Sequence, residues 1–193
     1  MPTRLQRYDE PGHVHFWTIS CYHRLSFFWH DDIKQAATLG LRYIQNKHDI
    51  CLIGYVIMPE HVHVLLYPHA RGAAEPTPIS NLLHDFKQYV GREGKRRMRD
   101  FWRRHGRLWS TPLNSWAHGD LKEQSLWNKR GHDFNVYRFP KLIEKLDYCH
   151  KNPIARGLVD HPDQWRWSSY RYYELQDCSV LEMNWDGQWP IIW

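Results

Sequence analysis

The spacing of apolar positions changes along the chain and predicts the elements in turn. Short runs rich in β-branched and aromatic residues are typical of strands. These runs are 14–21, 50–58, 61–67 and 134–139. Apolar residues at intervals of three and four predict helices. The predicted helices run from Asp31 to about Lys47, from Ser80 or Asn81 through a basic segment, and from Pro140 to about Lys151. Asn152 and Pro153 are predicted to end the last helix.

The resulting order, β-α-β-β-α-β-α, predicts an α+β domain with one antiparallel sheet and helices packed on it. With 193 residues, the chain is long enough for one domain with a sizeable core. No apolar run approaches the roughly 20 residues of a membrane-spanning helix. The four cysteines are far apart and the N-terminus lacks an apolar signal core. We therefore expect a cytoplasmic protein with reduced thiols and no membrane partner. Residues 108–131 are predicted to be irregular.

Basic residues are concentrated in one element. The chain carries 26 Lys and Arg against 21 Asp and Glu, but residues 87–107 carry nine bases against only Glu93 and Asp100. Such an element can bind phosphates, and the aromatic residues interleaved with it can stack on unpaired bases. The residues predicted to contact nucleic acid here are Lys87, Arg92, Lys95, Arg96, Arg97, Arg103 and Arg104. From charge alone, a solvated helix that keeps the protein soluble is an equal alternative.

Two pairs of histidines have the spacing of neighbours on one strand face. His61 and His63 follow the turn after the second predicted strand. Residues i and i+2 of a strand lie about 7 Å apart on one face, so the two imidazoles can share a divalent ion. The alternative is a half-buried strand whose polar face happens to carry histidines. His13 and His15 show the same spacing near the start of the chain, and we predict a structural or surface role for that pair.

The last predicted helix has a polar face that carries a tyrosine. On a helical wheel, Tyr148 lies with Lys141, Lys145 and Asn152, away from the apolar stripe, whereas His150 falls on the core side. The two lysines are candidates to hold phosphates beside the tyrosine. A tyrosine whose polar tip lines the edge of a buried helix is the ordinary alternative.

Three motifs carry a resemblance to a known family. Residues 58–66, MPEHVHVLL, resemble the His-hydrophobe-His strand of the single-tyrosine (Y1) transposases of the HUH superfamily. Residues 148–159, YCHKNPIARGLV, resemble the tyrosine helix and following turn of their relatives, the REP-associated tyrosine transposases. Residues 163–170, DQWRWSSY, are similar to the Trp-Ser-Ser-Tyr segment of that subgroup. The resemblance covers about residues 13–173.

This resemblance implies a ferredoxin-like catalytic domain over residues 1–173, followed by a tail over 174–193. It further implies that His61 and His63 bind Mg²⁺ or Mn²⁺, that the amide of Asn152 completes the metal site, and that Tyr148 is the nucleophile. The family cuts single-stranded DNA beside a short hairpin, forms a 5′-phosphotyrosine link and leaves a free 3′-OH without ATP. Tyr89 and Tyr137 are rival nucleophiles, but neither lies in the matching motif.

Two other functions remain open from the sequence. A transposase-derived protein could bind hairpin DNA or RNA without cutting it, since it would share the basic helix and the aromatic residues. A metal-dependent hydrolase could use Glu60 as a base, but strand alternation predicts that Glu60 points away from the face of His61. The sequence leaves open whether the protein is a monomer or a homodimer, and whether Tyr148 acts with the metal site of its own chain.

Overall fold

A four-stranded antiparallel sheet with the strand order β2-β3-β1-β4 lies at the centre of the fold. The computed structural model describes residues 10, 13–68, 76–106 and 125–188. The strands are β1 (Val14–Ser20), β2 (Cys51–Ile57), β3 (His61–Tyr67) and β4 (His132–Val136). The helices are α1 (Asp31–His48), α2 (Ile79–His105), α3 (Phe139–Ala155) and α4 (Tyr170–Leu175). Most of the tract predicted to be irregular, 108–131, lies outside the described residues.

The element order through α3 and the strand order of the sheet are those of a ferredoxin-like fold, which confirms the predicted α+β class. Strand β4 begins two residues earlier than the sequence predicts and ends before the predicted strand does. Within the described ranges, none of the helices combines the length and the apolar character that crossing a lipid bilayer requires.

Side-chain alternation in β3 separates two hydrophobic cores. Val62 and Val64 point into the larger core, which α1 and α2 cover. Leu65 belongs to the smaller core, which α3 covers on the other face of the sheet. Because residues i and i+2 of a strand share a face, His61 and His63 lie on the face of Leu65. The histidine pair therefore faces α3.

Helix α3 approaches the sheet closely at Gly54 of β2. A Cβ added to Gly54 would collide with the side chain of Leu146 in the middle of α3. Leu142 and Cys149, one turn to either side, are fully buried in the smaller core. The glycine therefore leaves room for the Leu146 side chain between α3 and the sheet.

The prediction that Asn152 and Pro153 end the last long helix is wrong, because α3 continues through Pro153 to Ala155. Proline removes one helical hydrogen bond, a loss that a helix tolerates near its end. The backbone N–H of Arg156 still donates to the carbonyl of Asn152 at 3.1 Å and closes the last turn. The continued helix keeps Asn152 in regular register with the residues before it.

The edge strand β2 is covered by the segment that carries the Trp-Ser-Ser-Tyr motif. The N–H of Ile57 donates to the carbonyl of Trp167 at 2.9 Å, and the N–H of Ser169 donates to the carbonyl of Tyr55 at 3.0 Å. The Ser169 hydroxyl also accepts from the Tyr55 N–H at 3.1 Å. Covering an edge in this way removes a template for pairing with another chain. The motif therefore has a structural role in this fold.

Residues after 174 extend this cover along the same strand. The Asn184 side chain accepts from the N–H of Leu52 at 2.7 Å and donates to the carbonyl of Ile50 at 2.9 Å. Leu181 and Met183 are buried in the larger core. The C-terminal segment, as far as it is described, packs against the rest of the fold.

Candidate active site

The imidazoles of His61 and His63 lie side by side beneath α3. Their Nε2 atoms are 3.0 Å apart, and both side chains are buried. Two adjacent ligands of an octahedral ion, each about 2.1 Å from it, are about 3.0 Å apart. The same separation suits a hydrogen bond between two neutral imidazoles. The pair is therefore arranged so that one divalent ion can bind both nitrogens.

The other ring nitrogen of each histidine has an oxygen neighbour. The Thr18 hydroxyl lies 3.0 Å from Nδ1 of His63, because Thr18 in β1 is the cross-strand partner of His63. Oε1 of Glu60 lies 3.3 Å from Nδ1 of His61. An Nδ1–H of His63 that donates to the Thr18 hydroxyl leaves the Nε2 lone pair of that ring for a cation. The Glu60 contact at His61 is a proximity of charge that does not meet the geometry of a hydrogen bond.

Both imidazoles are held in the neutral form that binds metals. Burial, with a smaller contribution from His61, lowers the pKa of His63 to about 3. Burial also lowers the pKa of His61, although the charge of Glu60 opposes the effect. No proton therefore has to leave either ring before a cation binds at neutral pH.

Tyr148 of α3 lies beside this pair in the same chain. Its ring centroid is 5.2 Å from that of His63 and 6.0 Å from that of Phe16, which itself stacks on His63. The Tyr148 side chain is 48% exposed, in agreement with its predicted position off the apolar stripe. The tyrosine is thus both next to the histidines and open to a substrate.

Lys145, one turn before the tyrosine, lies among aromatic rings. Its ammonium is 5.2 Å from the ring centroid of Phe16, 5.3 Å from that of Phe134 and 5.8 Å from that of Tyr148. A cation over ring faces is attracted to their negative quadrupole. Lys141, also predicted to bind phosphate, forms an ion pair with Glu144 at 2.6 Å on the exposed side of α3. Of the two lysines, Lys145 is the one in contact with the tyrosine.

Asn152 supplies a buried oxygen that has no hydrogen-bond partner among the described residues. It lies one turn after Tyr148 on α3, and the unpaired atom is its Oδ1. An amide oxygen is a ligand that Mg²⁺ and Mn²⁺ accept, and an unpaired buried oxygen is costly unless something binds it. Within the described ranges no group of three or more His, Cys, Asp and Glu side chains could hold a metal. Imidazole nitrogens and an amide oxygen are nevertheless donors that a divalent cation accepts, and the role of Asn152 stays a prediction.

Glu60 lies at the site, so the sequence-based expectation that it points to the opposite face is wrong. It precedes the first residue of β3 and belongs to the turn after β2, where strand alternation does not yet apply. Oε1 of Glu60 accepts from Arg156 at 2.8 Å and from Arg24 at 3.3 Å. Burial alone would raise the pKa of the Glu60 carboxyl, but His61 and the two arginines lower it below its ordinary value. A carboxylate stabilised in this way is a poor base for activating water.

Sequence reasoning missed Thr18, Arg24 and Arg156 as parts of this site, and it considered Glu60 as a base but expected it on the opposite face. Thr18 requires the strand register, and Arg24 lies in a loop with no recognisable pattern. Glu60 and Arg156 fall inside the two motifs that carry the family resemblance. Their position within those motifs is the one signal that could have identified them.

The basic residues of α2 are not brought to the histidine pair. Helix α2 packs with α1 over the larger core, on the opposite face of the sheet. Many of its bases are engaged within that layer: Arg97 donates to Gln35 at 2.6 Å, and Arg104 pairs with Asp32 at 3.3 Å. Lys87 donates to the carbonyl of Asn128 at 2.8 Å. The DNA-binding role of this helix stays a prediction.

Several of the other bases on α2 form ion pairs along the helix itself. Arg96 pairs with Glu93 at 2.6 Å and with Asp100 at 2.9 Å, and Arg103 pairs with Asp100 at 3.2 Å. The guanidinium of Arg92 lies 5.9 Å from the ring of Tyr89. Lys95 is half-buried on the same helix.

The rival residues lie elsewhere. Tyr89 stacks on Tyr43 between α2 and α1, at a centroid distance of 4.8 Å. Tyr137 is 61% exposed and lies near His13. His15 is buried on the face opposite the histidine pair, with Nδ1 3.0 Å from Asp133, so it belongs to the structure of the sheet.

No protein-family model matches the chain, and no curated protein matches it. Among solved structures, the chain is similar to a REP-associated tyrosine transposase bound to a REP hairpin, with a TM-score of 0.63 and 14% sequence identity. The match covers 98% of this chain and 94% of that chain. It is also similar to a putative transposase from Deinococcus radiodurans R1, with a TM-score of 0.45 and 17% identity over 74% of this chain and 93% of that one. The first likeness extends through nearly the whole of both chains. The chain therefore has the fold of the REP-associated tyrosine transposase.

Proposed function

We propose that this protein is a single-tyrosine transposase that nicks single-stranded DNA beside a hairpin and transfers the cut strand through a 5′-phosphotyrosine intermediate. The observation that carries the proposal is the position of Tyr148. Its ring lies 5.2 Å from that of His63, whose Nε2 is 3.0 Å from that of His61. Tyr148 and the two neutral imidazoles lie together on one face of the sheet, and the helix that carries the tyrosine also carries the buried amide of Asn152 one turn further on.

Mg²⁺ or Mn²⁺, bound by His61, His63 and Asn152, would supply a Lewis acid that neutralises charge on the non-bridging oxygens of the phosphate. The protein's own groups do the remaining work. The Thr18 hydroxyl holds His63 in the tautomer that accepts a cation, and the Glu60 carboxylate lies 3.3 Å from Nδ1 of His61. The ammonium of Lys145, 5.8 Å from the centre of the Tyr148 ring, is placed to offset negative charge that develops as the tyrosine attacks the phosphate.

The chemical step exchanges one ester for another. Oη of Tyr148 bonds to phosphorus as the bond from phosphorus to the 3′ oxygen breaks. The tyrosine loses its phenolic proton and the departing 3′ oxygen gains one, so the products are a 5′-phosphotyrosine and a free 3′-OH. The energy of the phosphodiester is retained in the tyrosyl ester, so that a 3′-OH can later reverse the step without ATP.

The proposed substrate is single-stranded DNA that carries a hairpin. The similar solved transposase is bound to a REP hairpin, and the shared fold supports hairpin DNA as the partner of this chain. Because Tyr148 lies beside the histidines of its own chain, the proposed cut needs no tyrosine from a second subunit.

The proposal is tested by trapping the intermediate. The full chain is incubated with hairpin-bearing single-stranded DNA and Mn²⁺, and protein-linked DNA is measured on a denaturing gel. We expect the adduct with the unaltered protein and with Tyr137→Phe, which removes an exposed phenol away from the site. Tyr148→Phe is expected to abolish it.

A metal requirement is tested with the same assay. His61→Ala is expected to abolish the adduct while hairpin binding is retained, because the histidine holds the metal and not the DNA. An adduct that persists in Tyr148→Phe contradicts the assigned nucleophile. Hairpin binding by the unaltered protein with no adduct at any Mn²⁺ concentration favours a non-catalytic binder.

A further inference from the structure

One carboxylate oxygen beside the histidine pair is shared by three nitrogen groups. Oε1 of Glu60 lies 2.8 Å from Nη2 of Arg156, 3.3 Å from Nη2 of Arg24 and 3.3 Å from Nδ1 of His61. The Glu60 side chain is only 9% exposed, whereas those of Arg24 and Arg156 are 58% and 52% exposed. The buried carboxylate therefore anchors two arginines whose outer faces reach solvent.

Each arginine uses only a small part of its hydrogen-bonding capacity on Glu60. A guanidinium carries five N–H donors in a planar fork that matches the geometry of a phosphate. Arg24 and Arg156 each direct a single nitrogen at Glu60, and neither side chain has another hydrogen-bonded partner in the described part of the chain. The remaining donors are available to an anionic ligand at the mouth of the site.

The backbone that presents Arg24 has an uncommon conformation. His23 and Arg24, in the turn after β1, both have positive φ, at 48° and 55°. Non-glycine residues seldom adopt this region, and consecutive examples cluster where function requires them. The N–H of Arg24 donates to the carbonyl of Cys21 at 2.9 Å, and the N–H of His23 donates to the Asn128 side chain at 3.2 Å. These bonds hold the turn that brings Arg24 to Glu60.

Arg156, the residue directly after α3, extends the row of site residues on that helix. Tyr148, Asn152 and Arg156 are each four positions apart, and a separation of four places residues on nearly the same side of a helix. The proposed nucleophile, the candidate metal ligand and the arginine thus follow one another along one face. A strand that offers a phosphate to Tyr148 and follows this face toward the C-terminal end of α3 would pass Arg156.

We propose that Arg24 and Arg156 form a phosphate-binding subsite for the nucleic-acid strand next to the scissile phosphate, with Glu60 orienting both guanidinium groups. The substrate class rests on the proposed function. Two cations against one carboxylate leave the cluster positive, which suits a phosphodiester. The same turn exposes Tyr22, whose ring can stack on an unpaired base, and this favours a nucleotide chain over a free anion.

The subsite is tested by equilibrium binding in EDTA, so that no metal-dependent cleavage occurs. The affinity for hairpin-bearing single-stranded DNA is measured against salt concentration for Arg24→Gln, Arg156→Gln and the double variant. Each lost phosphate contact on a single strand reduces the slope of log affinity against log salt by about 0.7, so we expect a reduction of about 1.4 in the double variant. Arg42→Gln, on the exposed side of α1, is the matched control and is expected to leave the slope unchanged.

A second arm locates the phosphate on the substrate. Single linkages of the DNA are replaced in turn by neutral methylphosphonates. At one position close to the cut, neutralisation is expected to weaken binding to the unaltered protein but not to the double variant, because the contact is already lost. Arg24→Lys keeps the charge but not the fork, and it is expected to retain the salt slope and to weaken binding. Thermal unfolding midpoints of all variants show that each is folded.

The outcomes separate this inference from the proposed function. Unchanged salt slopes in both single variants and the double variant, with normal adduct formation by Tyr148, overturn the subsite and leave the function standing. The expected loss of slope without any adduct in the unaltered protein supports the subsite and contradicts the proposed cleavage. The proposed subsite is also overturned if, at every position, a methylphosphonate weakens binding equally in the unaltered protein and in the double variant.

Discussion

Thr18 is a small residue on which the orientation of a whole imidazole depends. Its hydroxyl lies 3.0 Å from Nδ1 of His63, on the far side of the ring from the nitrogen that faces His61. A hydroxyl that accepts Nδ1–H fixes the tautomer in which Nε2 carries the lone pair. Outer partners of this kind typically change metal affinity about 10- to 100-fold when they are removed.

We therefore predict that Thr18→Val weakens Mn²⁺ binding about tenfold while the protein remains folded. Valine keeps the shape and the β-branch, so that the loss of the hydroxyl is the main change. Thr38→Val on α1 is the matched control, since Thr38 is also buried and its hydroxyl donates to a helix carbonyl far from the histidines. Calorimetric titration with Mn²⁺ measures the difference, and equal affinities in the two variants would contradict the role of Thr18.

At this scale the sequence identifies side chains but not all their partners. Spacing alone placed His61 and His63 on one strand face, and a helical wheel placed Tyr148 off the core stripe. Their convergence was implied only by the family resemblance, because no local pattern encodes how α3 crosses the sheet. Thr18 was not predictable without the register between β1 and β3. Glu60 was misplaced because a period of two was extended one residue beyond the start of the strand.

At the scale of elements, periodicity predicted the four strands and the three long helices that the structure describes, with errors at their ends, and it missed the short helix α4. Helix α3 runs past its predicted stop because the cost of Pro153 is small in a last turn that other hydrogen bonds close. The segment that covers the edge of β2 was not predicted. Residues 165–169 have no clear hydrophobic periodicity, and they join β2 through an isolated bridge and not through a regular strand. The close contact between Leu146 of α3 and Gly54 of β2 was also not predictable, because it depends on how the helix lies on the sheet in three dimensions.

We predict that Gly54→Ala destabilises the protein by about 1 to 3 kcal/mol, because the added methyl group collides with Leu146 and lifts α3 from the sheet. Leu146→Ala in the same chain makes room for that methyl group, so the double variant is expected to lose less stability than the sum of the two single variants. Urea unfolding measures each change.

Gly91→Ala is the matched control for this prediction. Nothing lies within 4 Å of a Cβ built on Gly91 in α2. Alanine there is expected to stabilise the protein by up to about 1 kcal/mol, because glycine in a helix costs conformational entropy. Additive losses from Gly54→Ala and Leu146→Ala would show that the contact does not control the position of α3.

At the scale of the whole molecule, the sheet lies between the candidate active site and most of the basic residues of the 87–107 segment. The candidate active site lies on the α3 face, while the nine-base segment lies mainly on α2, across the sheet. Many bases on α2 are already paired with Glu93, Asp100 or Asp32, which lowers their net attraction for phosphates. Near the tyrosine, by contrast, a few cations such as Lys145 are placed against the reacting groups.

This separation predicts different kinetic effects for bases on the two faces. Lys145→Gln is expected to lower the rate of adduct formation at saturating DNA by at least about tenfold, because its charge acts on the Tyr148 phenol in the reacting state. The double variant Arg92→Gln and Arg103→Gln removes two exposed charges from α2. It is expected to leave that rate unchanged, whatever its effect on affinity, since a residue that only attracts DNA is no longer limiting once the site is full.

The measurement is a single-turnover time course with enough protein to bind all the DNA, followed on a denaturing gel. Arg42→Gln on α1 controls for loss of one charge from the same layer as α2. Equal reductions in the saturated rate from the α2 variant and from Lys145→Gln would mean that the DNA contacts both faces during the reaction. That result would contradict a division of the molecule in which α3 carries the chemistry and α2 contributes only to the encounter.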